Sequence, residues 1–506
     1  MSDGKTTIYV ASAGTGKTTT LINKLEECLE HTDPSKVCFT TFTKSGAQEA
    51  IDRVVAKFDC NEKDLEGFST LHAYCYRRIP RKQMLNREDY KIMGELIGLT
   101  ITGSLATATS WQKDTSFFSN LKGDKLLYYN GLMRNMLCSE EEVLAQQIDS
   151  SISTKEFVDF NEFYYKYKYE KNKYDFTDQL EVFNNSEHTP KNDYLFVDES
   201  QDLSPLQWQV INKLSTKTKH TYIAGDDKQS IYKFSGGDPK SLIEKEGNRI
   251  VLDETYRLPS KVLEYAETIT SRIENKQEYT VKSHKDGGGV HRIRSLNELD
   301  LNDESWLFLA RNRALLRIYE DFLIKRRILF ISSGESSLFN EDQINYILLW
   351  EKLRLGYKFK AQQLKVLYNN YLPSGAVIAR GAKSLLDSMP DHELYDKVDL
   401  VNNFGLKSIA KWNKVFKLND VTKEVLLKAE AEDRLDKCTN IEVTTIHASK
   451  GREADNVVVL PDLTTLTAAA YKKDPDNEHR VFYVAATRAK QNLFLLYPYT
   501  SKFYNL

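Results

Sequence analysis

The sequence predicts an α/β protein with two parallel sheets, each interrupted by a mainly helical insertion. Three observations predict it. An apolar strand at Ile8–Val10 runs into the glycine-containing loop 11–16 and then into a helix. Apolar runs recur at Val37–Phe42, Tyr194–Val197 and Thr221–Ala224, the last two ending in acidic or polar residues. A second strand–helix–strand pattern starts near Glu304 and resumes at Ile441. Strands that alternate with helices in this way form parallel sheets, whose ligands bind at the carboxyl ends of the strands.

The first element is a phosphate cradle. Residues 11–18 read Ala-Ser-Ala-Gly-Thr-Gly-Lys-Thr, with Ala11 where the strict pattern has its first glycine. Gly14 and Gly16 permit positive φ, so successive N–H groups and the following helix N-terminus can point at anionic oxygens. In such a loop Lys17 meets the β- and γ-phosphates and Thr18 ligates Mg²⁺. Ala13, Thr15 and Thr19 complete the nucleotide-binding stretch. On its own the loop leaves kinases, transporters and GTPases open.

Thr19–Leu29 has helical apolar spacing and ends at a Thr-Asp-Pro turn, and the strand Val37–Phe42 follows. Helices open at Thr43 and near Phe68–His72. From Arg77 to Lys191 the chain turns helical and polar, which marks an insertion. Within it, Phe163-Tyr164-Tyr165-Lys166-Tyr167-Lys168-Tyr169 could stack bases. The plainer reading is an amphipathic helix with Phe157, Phe160, Tyr164 and Tyr167 on a core and its lysines solvated. Val251–Arg257 reads as a connection out of the first sheet and Lys285–Gly289 as a linker. Glu304–Ala310, a helix at Leu315–Leu323 and Ile328–Ile331 open the second sheet. A Lys/Leu-rich helical stretch from Asp342 to Asp436 interrupts it, and strands resume at Ile441–Thr445, Asn456–Leu460 and Leu493–Tyr497.

At 506 residues the chain exceeds one core and suggests several domains. A formal net charge of −2 excludes a basic tail that coats duplex DNA, so any nucleic-acid surface must be a local groove. The cysteines at 28, 38, 60, 75, 138 and 438 show no CxxC pair or zinc spacing and read as reduced thiols of a cytosolic protein. No charged-then-apolar leader and no bilayer-length apolar run is present, so neither export nor a membrane partner is expected.

Asp198 and Glu199 follow an apolar strand, which is the carboxylate pair a P-loop ATPase uses: the first to hold Mg²⁺, the second to orient and deprotonate water. Together the segments resemble the UvrD/Rep family of superfamily 1 DNA helicases, in order along most of the chain. Residues 11–18 resemble motif I, Thr41–Ala47 motif Ia, Ser69–His72 motif Ib and Asp198–Asp202 motif II. Gly225–Gly236 resembles motif III, Leu252–Arg257 motif IV, Thr444–Glu453 motif V and Tyr483–Ala489 motif VI.

The resemblance implies two tandem RecA-like motor domains, at 1–75 plus 190–254 and at 255–345 plus 436–506. It implies helical insertions at 76–189 and 346–435, and ATP hydrolysed with Mg²⁺ between the motors. It also implies that Gln229 senses the γ-phosphate, that Arg257 and Arg488 act as arginine fingers, that Tyr256 stacks on adenine and that Glu453 takes the ribose. For single-stranded DNA it implies Phe42, Thr43, Tyr232, Phe234, Thr445 and His447, with Phe234 where the family usually has tryptophan. His72 either contacts the phosphate backbone or caps a buried turn. Partners would be single-stranded DNA, single-strand/duplex junctions and a protein such as a nuclease, a single-strand-binding or a replication protein. Movement would be 3′-to-5′. The compact size suits a bacterial cytoplasmic or phage-encoded enzyme.

The sequence also departs from the family. Only seven residues precede Ile8, so the glutamine that reads adenine upstream of motif I has no source, and relaxed NTP choice is expected. Arg452 and Ala454 replace apolar residues beside Glu453, and the 346–435 insertion is short for the family. That shortness leaves open a regulatory, protein-displacing DNA-dependent ATPase that unwinds little. Stacking is indifferent to the sugar, so RNA stays open as a track. A binding module with a dead ATPase conflicts with intact Lys17, Asp198, Glu199, Gln229, Arg257 and Arg488.

Overall fold

A computed structural model describes residues 5–58, 60–103, 121–147, 151–301, 304–333, 341–435 and 440–506. Cys438 lies outside the described residues. The chain forms two compact units. The first comprises Met1–Arg292, Ile446–Glu453 and Pro461–Leu506, and the second Ile293–Thr445 and Ala454–Leu460.

In the first unit β1 (Thr6–Val10) leads through the phosphate loop into α1 (Lys17–Leu29). Then come β2 (Val37–Thr41), α2 (Lys44–Lys57), β3 (Phe68–Thr70) and α3 (Leu71–Tyr76). The insertion carries β4 (Gln83–Met84) and β5 (Lys173–Tyr174), which pair with each other. The sheet is completed by β6 (Tyr194–Val197), β7 (His220–Gly225) and β8 (Asn248–Val251). Its order is β3-β2-β6-β7-β1-β8, and every pairing is parallel.

Side chains alternate across this sheet as a period of two requires. Ile8, Val10, Cys38, Leu195, Val197 and Ile223 enter one core, whereas Tyr9, Val37, Phe39, Phe196, Tyr222 and Ala224 enter the core on the opposite face. Both faces are covered, so these strands read as continuous apolar runs. The segment expected to be a mere connection out of the sheet is instead structured. Its first residue closes the edge strand β8, and its end lies in β9 (Glu254–Pro259), which pairs with β10 (Lys282–Lys285). With Glu254, Thr255, Tyr256 and Arg257 in its first four places, β9 has no apolar run to announce it as a strand. β11 (Gly289–Ile293) follows.

Within the insertion, helix Thr154–Lys171 buries Phe157, Phe160, Tyr164 and Tyr167 in a core with Leu126, Tyr129 and Leu132, as the plainer reading expects. The expected solvation of its lysines fails at Lys168. That ammonium is buried and bonds Asp175 at 2.6 Å and Asp178 at 2.7 Å.

In the second unit β12 (Trp306–Ala310), helix Arg313–Lys325 and β13 (Ile331–Ser332) precede a largely helical stretch. Among the described residues of that stretch the strands are the short antiparallel pair β14 (Phe359–Lys360) and β15 (Leu394–Tyr395). β16 (Ile441–Thr445) and β17 (Ala454–Val459) complete a parallel sheet in the order β17-β12-β16-β13. Trp350 and Trp412 anchor the helical stretch, each with its indole N–H bonded, to Ala410 O at 3.0 Å and to Glu430 Oε1 at 3.2 Å. The final strand, β18 (Ala489–Leu496), belongs to the first unit. Among the described residues no helix is long and apolar enough to cross a membrane.

Candidate nucleotide and nucleic-acid site

The phosphate loop is held at both ends. The Ala11 N–H donates to Gly225 O at 3.0 Å, tying the loop to the end of β7. The Thr15 hydroxyl donates to Ser12 O at 3.0 Å, and Gly14 and Gly16 both take left-handed backbone, φ +74° and +76°. Ala13 is buried, whereas Thr19, two residues beyond Lys17 in α1, is exposed.

Lys17 Nζ lies 2.7 Å from Glu199 Oε1, and the Thr18 hydroxyl donates to Asp198 Oδ2 at 2.8 Å. Glu199 itself has φ +53°, a backbone conformation that costs a non-glycine residue about 1–2 kcal/mol. Strain of this kind persists where surrounding bonds impose it. The two neighbouring carboxyls are driven apart. Burial, and then the adjacent Glu199 charge, raises Asp198. Burial opposes ionisation of Glu199 as well, but the ammonium groups of Lys17 and Lys450 outweigh it and hold that carboxyl well below the usual range. Lys17 stays charged although burial works against it, because Glu199 and Asp198 flank it. A hydroxyl and a carboxylate in contact are hard oxygen donors, so Thr18 and Asp198 fit a Mg²⁺ ion that keeps several waters.

β9 packs directly on this loop. The Thr255 hydroxyl donates to Ala13 O at 2.7 Å and the Tyr256 N–H to Gly14 O at 2.9 Å. A Cβ on Gly14 would sit 2.4 Å from Arg257 Cβ, whereas a Cβ on Gly16 meets nothing within 4 Å. Gly16→Ala therefore carries only the left-handed backbone penalty, about 1–2 kcal/mol. Gly14→Ala must also displace β9, and it is expected to weaken nucleotide binding by well over the tenfold that this penalty represents. Titration of both variants with a fluorescent ADP analogue checks the ranking; equal losses would refute it.

Arg257 Nε pairs with Glu453 at 2.5 Å. Arg488 is almost fully buried and donates from Nη2 to Gln229 Oε1 at 3.0 Å and from Nε to Val484 O at 3.0 Å. Burial, with Arg257 nearby, pulls its guanidinium down to about 9. Gln229 Nε2 in turn donates to Asp226 Oδ2 at 2.5 Å. The structure thus brings Lys17, Thr18, Asp198 and Glu199 into one contact chain, Gln229 and Arg488 into another, and sets Arg257, paired with Glu453, against the loop.

Lys450 joins the two chains. Its ammonium bonds Asp202, donates to Gln229 O at 3.0 Å and lies 3.7 Å from Glu199 Oε2. Tyr256 stands apart from this centre. Its ring is exposed, with its hydroxyl on Glu254 at 3.0 Å and His284 5.0 Å away.

The aromatic candidates form a run. Phe42 stacks on Tyr232 with ring centroids 5.0 Å apart, Tyr232 meets Phe234 edge-on at 5.8 Å, and Phe234 meets His447 at 5.6 Å. Lys450 lies 5.0 Å from the Tyr232 ring centroid, so the run and the carboxylate centre share one cation. His72 belongs elsewhere, stacked on Phe176 at 3.9 Å, with burial holding its imidazole down at about 3. Thr43 caps α2, accepting the Gly46 N–H at 3.1 Å, and Thr445 is buried at the end of β16 in the second unit.

Sequence reasoning missed Lys450, Tyr483 and Phe176. Lys450 and Tyr483 sat inside quoted motifs without a role, and the Tyr483 hydroxyl is 2.8 Å from Ser12 Oγ in the loop. Phe176 lies beyond the Phe163–Tyr169 stretch and carries no motif of its own.

Residues 2–249 match the UvrD/REP helicase N-terminal domain, and residues 378–500 match the UvrD-like helicase C-terminal domain. The chain belongs to the UvrD/Rep helicase family. Its parallel sheets are the RecA-like fold of UvrD/Rep proteins. Similar relatives include an ATP-dependent DNA helicase Rep of Buchnera aphidicola, 25% identical over 412 residues. That alignment takes in 74% of this chain and 60% of the Buchnera protein. A probable DNA helicase II homolog of Mycoplasma genitalium is 23% identical over 588 residues, 96% of this chain and 82% of that protein. An ATP-dependent DNA helicase PcrA of Staphylococcus aureus is 23% identical over 402 residues, 68% of this chain and 51% of that protein.

Proposed function

We propose that this UvrD/Rep protein is an ATP-driven single-stranded DNA translocase and helicase that moves 3′-to-5′. One observation carries the reading: a phosphate-loop lysine, a carboxylate pair and a buried Gln229–Arg488 contact stand beside an aromatic run, and Lys450 touches both sets. Lys17 binds the β- and γ-phosphates, Glu199 orients and deprotonates the attacking water, and Gln229 reports the γ-phosphate. Arg257 and Arg488 neutralise charge that develops on the transferred phosphoryl group. Thr18 and Asp198 would hold Mg²⁺, which when bound supplies charge neutralisation to the phosphates. Glu453 receives the ribose once Arg257 leaves it for phosphate, and Tyr256 receives the adenine.

Phe42, Tyr232 and Phe234 offer a base π-faces that do not read sequence, with Thr43, Thr445 and His447 on the backbone path, whereas His72, stacked on Phe176, fits the buried-turn alternative. We assign residues 1–75 plus 190–254 and 255–345 plus 436–506 to the two motor domains, with the helical insertions at 76–189 and 346–435. Tyr232→Ala is expected to weaken oligo-dT binding about tenfold, within the ~1–3 kcal/mol of one base–aromatic stack. Fluorescence anisotropy measures it, and wild-type affinity would remove the aromatic run from the DNA path.

The deciding experiment measures ATP hydrolysis and strand separation on duplexes with 3′ or 5′ tails, with DNA and RNA tracks. Unwinding from 3′ DNA tails alone supports the proposal. Streptavidin displacement without unwinding would instead assign the regulatory ATPase, and no nucleic-acid stimulation would overturn both.

A further inference from the structure

Between helix Ser260–Thr270 and β10 the chain runs as a strap, Glu274 to Tyr279, that lies outside every motif noted above. Its backbone N–H groups at Glu274 and Asn275 donate to Asp476 at 2.9 and 3.0 Å, and Arg480 donates to Asn275 O. The same Arg480 donates to Asp227 O at 2.9 Å. Gln277 closes the circuit, its N–H on Asp227 Oδ2 at 3.1 Å and its Oε1 accepting from Arg249 at 2.6 Å. The strap thus ties the helix Pro475–Ala486, which ends beside Arg488, to the segment that carries Gln229.

Tyr279 ends the strap against the phosphate loop. The phenol's one proton is shared between two acceptors, Ala11 O at 2.6 Å, where β1 enters the phosphate loop, and Asp226 Oδ1 at 3.4 Å. The other oxygen of Asp226 holds the Gln229 carboxamide at 2.5 Å, and that carboxamide meets Arg488. The ring supports the Lys228 ammonium 3.7 Å from its centroid, immediately before Gln229. One hydroxyl therefore reaches the loop below the phosphates and the carboxylate that aims the γ-phosphate sensor.

We propose that Tyr279 is a positioning residue for nucleotide hydrolysis, its hydroxyl fixing Asp226 against the start of the phosphate loop so that Gln229 faces Arg488. Tyr279 touches no reacting atom; it acts through Asp226 and Gln229. A tyrosine in this place differs from an apolar residue by its hydroxyl, and phenylalanine removes that group while keeping the ring under Lys228.

The inference rests on the hydrolytic reading above. It is tested on the full chain by steady-state ATP hydrolysis with and without oligo-dT, in wild type, Tyr279→Phe, Gln229→Ala and the double variant. Tyr279→Phe is expected to lower kcat about tenfold, as loss of a hydrogen bond to a charged group does, with KM, ADP-analogue affinity and thermal unfolding unchanged. In the Gln229→Ala background the same change is expected to add nothing, because the two side chains act in series. Wild-type kcat in Tyr279→Phe, or losses that add in the double variant, would overturn the positioning role alone. A wild type without DNA-stimulated turnover would overturn the hydrolytic reading with it. Reduced ADP-analogue affinity or a lowered unfolding temperature in Tyr279→Phe would assign the hydroxyl to loop stability and also overturn the proposal.

Discussion

Glu199→Gln will lower DNA-stimulated ATP turnover by about 10²- to 10⁴-fold, the range that loss of a general base produces, while the fold stays intact. The carboxamide is isosteric and can still accept a bond from Lys17, but it cannot take a proton from water. Its lost charge also leaves the Lys17 ammonium with Asp198 as its nearest strong partner. Lys17→Ala should be as severe for a different reason: on the proposed mechanism it removes the cation that meets the phosphates, and it leaves the Glu199 carboxylate without its nearest ammonium. The two variants separate in binding. Glu199→Gln is expected to keep or tighten ATP affinity, since a negative charge beside the phosphates has gone, whereas Lys17→Ala weakens it. Single-turnover hydrolysis and equilibrium titration measure both effects. Normal turnover in either variant would remove that residue from the mechanism.

The second large effect is on stability. Arg134 is buried in the first helical insertion and bonds Asp175 at 2.6 Å, Asp178 at 2.5 Å and Glu181 at 2.6 Å, and Lys168 bonds the same two aspartates. Burial would favour protonated Asp175, yet these two cations hold its carboxyl far below the usual range. The Tyr164 hydroxyl adds a bond to Asp175 at 2.9 Å. Removing one member leaves buried charge without compensation, so Arg134→Ala is expected to destabilise the insertion by about 3–5 kcal/mol. Lys166→Ala on the exposed side of the neighbouring helix should stay within about 0.5 kcal/mol. A chain with several cores does not unfold in one step, so the measurement is hydrogen exchange over 122–183 rather than a single melting temperature. Unchanged protection in Arg134→Ala would show that the cluster adds nothing net.

That cluster also marks the limit of what the sequence discloses. Strands with both faces covered announce themselves as apolar runs, which is why β1, β2, β6, β7 and β12 were legible to within a residue or two. The phosphate loop and the Asp198–Glu199 pair were legible because each chemistry demands particular residue types at fixed spacing. Lys168 was not, since a lysine among tyrosines has the same local pattern whether it meets water or two aspartates several residues on. β9 was hidden for a related reason: polar residues fill most of it, so it has the composition of a solvated connection. Tyr279 carries no local signal at all. Its importance comes from Ala11 and Asp226, which the numbering keeps far away and the sheet brings within reach.

The first unit is assembled from three separated stretches of chain, and the last two hold Lys450, Glu453 and Arg488. Chains grow from the amino end, and domains fold as their residues emerge from the ribosome. A nascent polypeptide carries Lys17 and the Asp198–Glu199 pair through translation of all of residues 293–445 before any guanidinium can face Gln229 from the 480s. On the mechanism proposed above, a partly made chain that lacks these stretches is expected to hold nucleotide without turning it over.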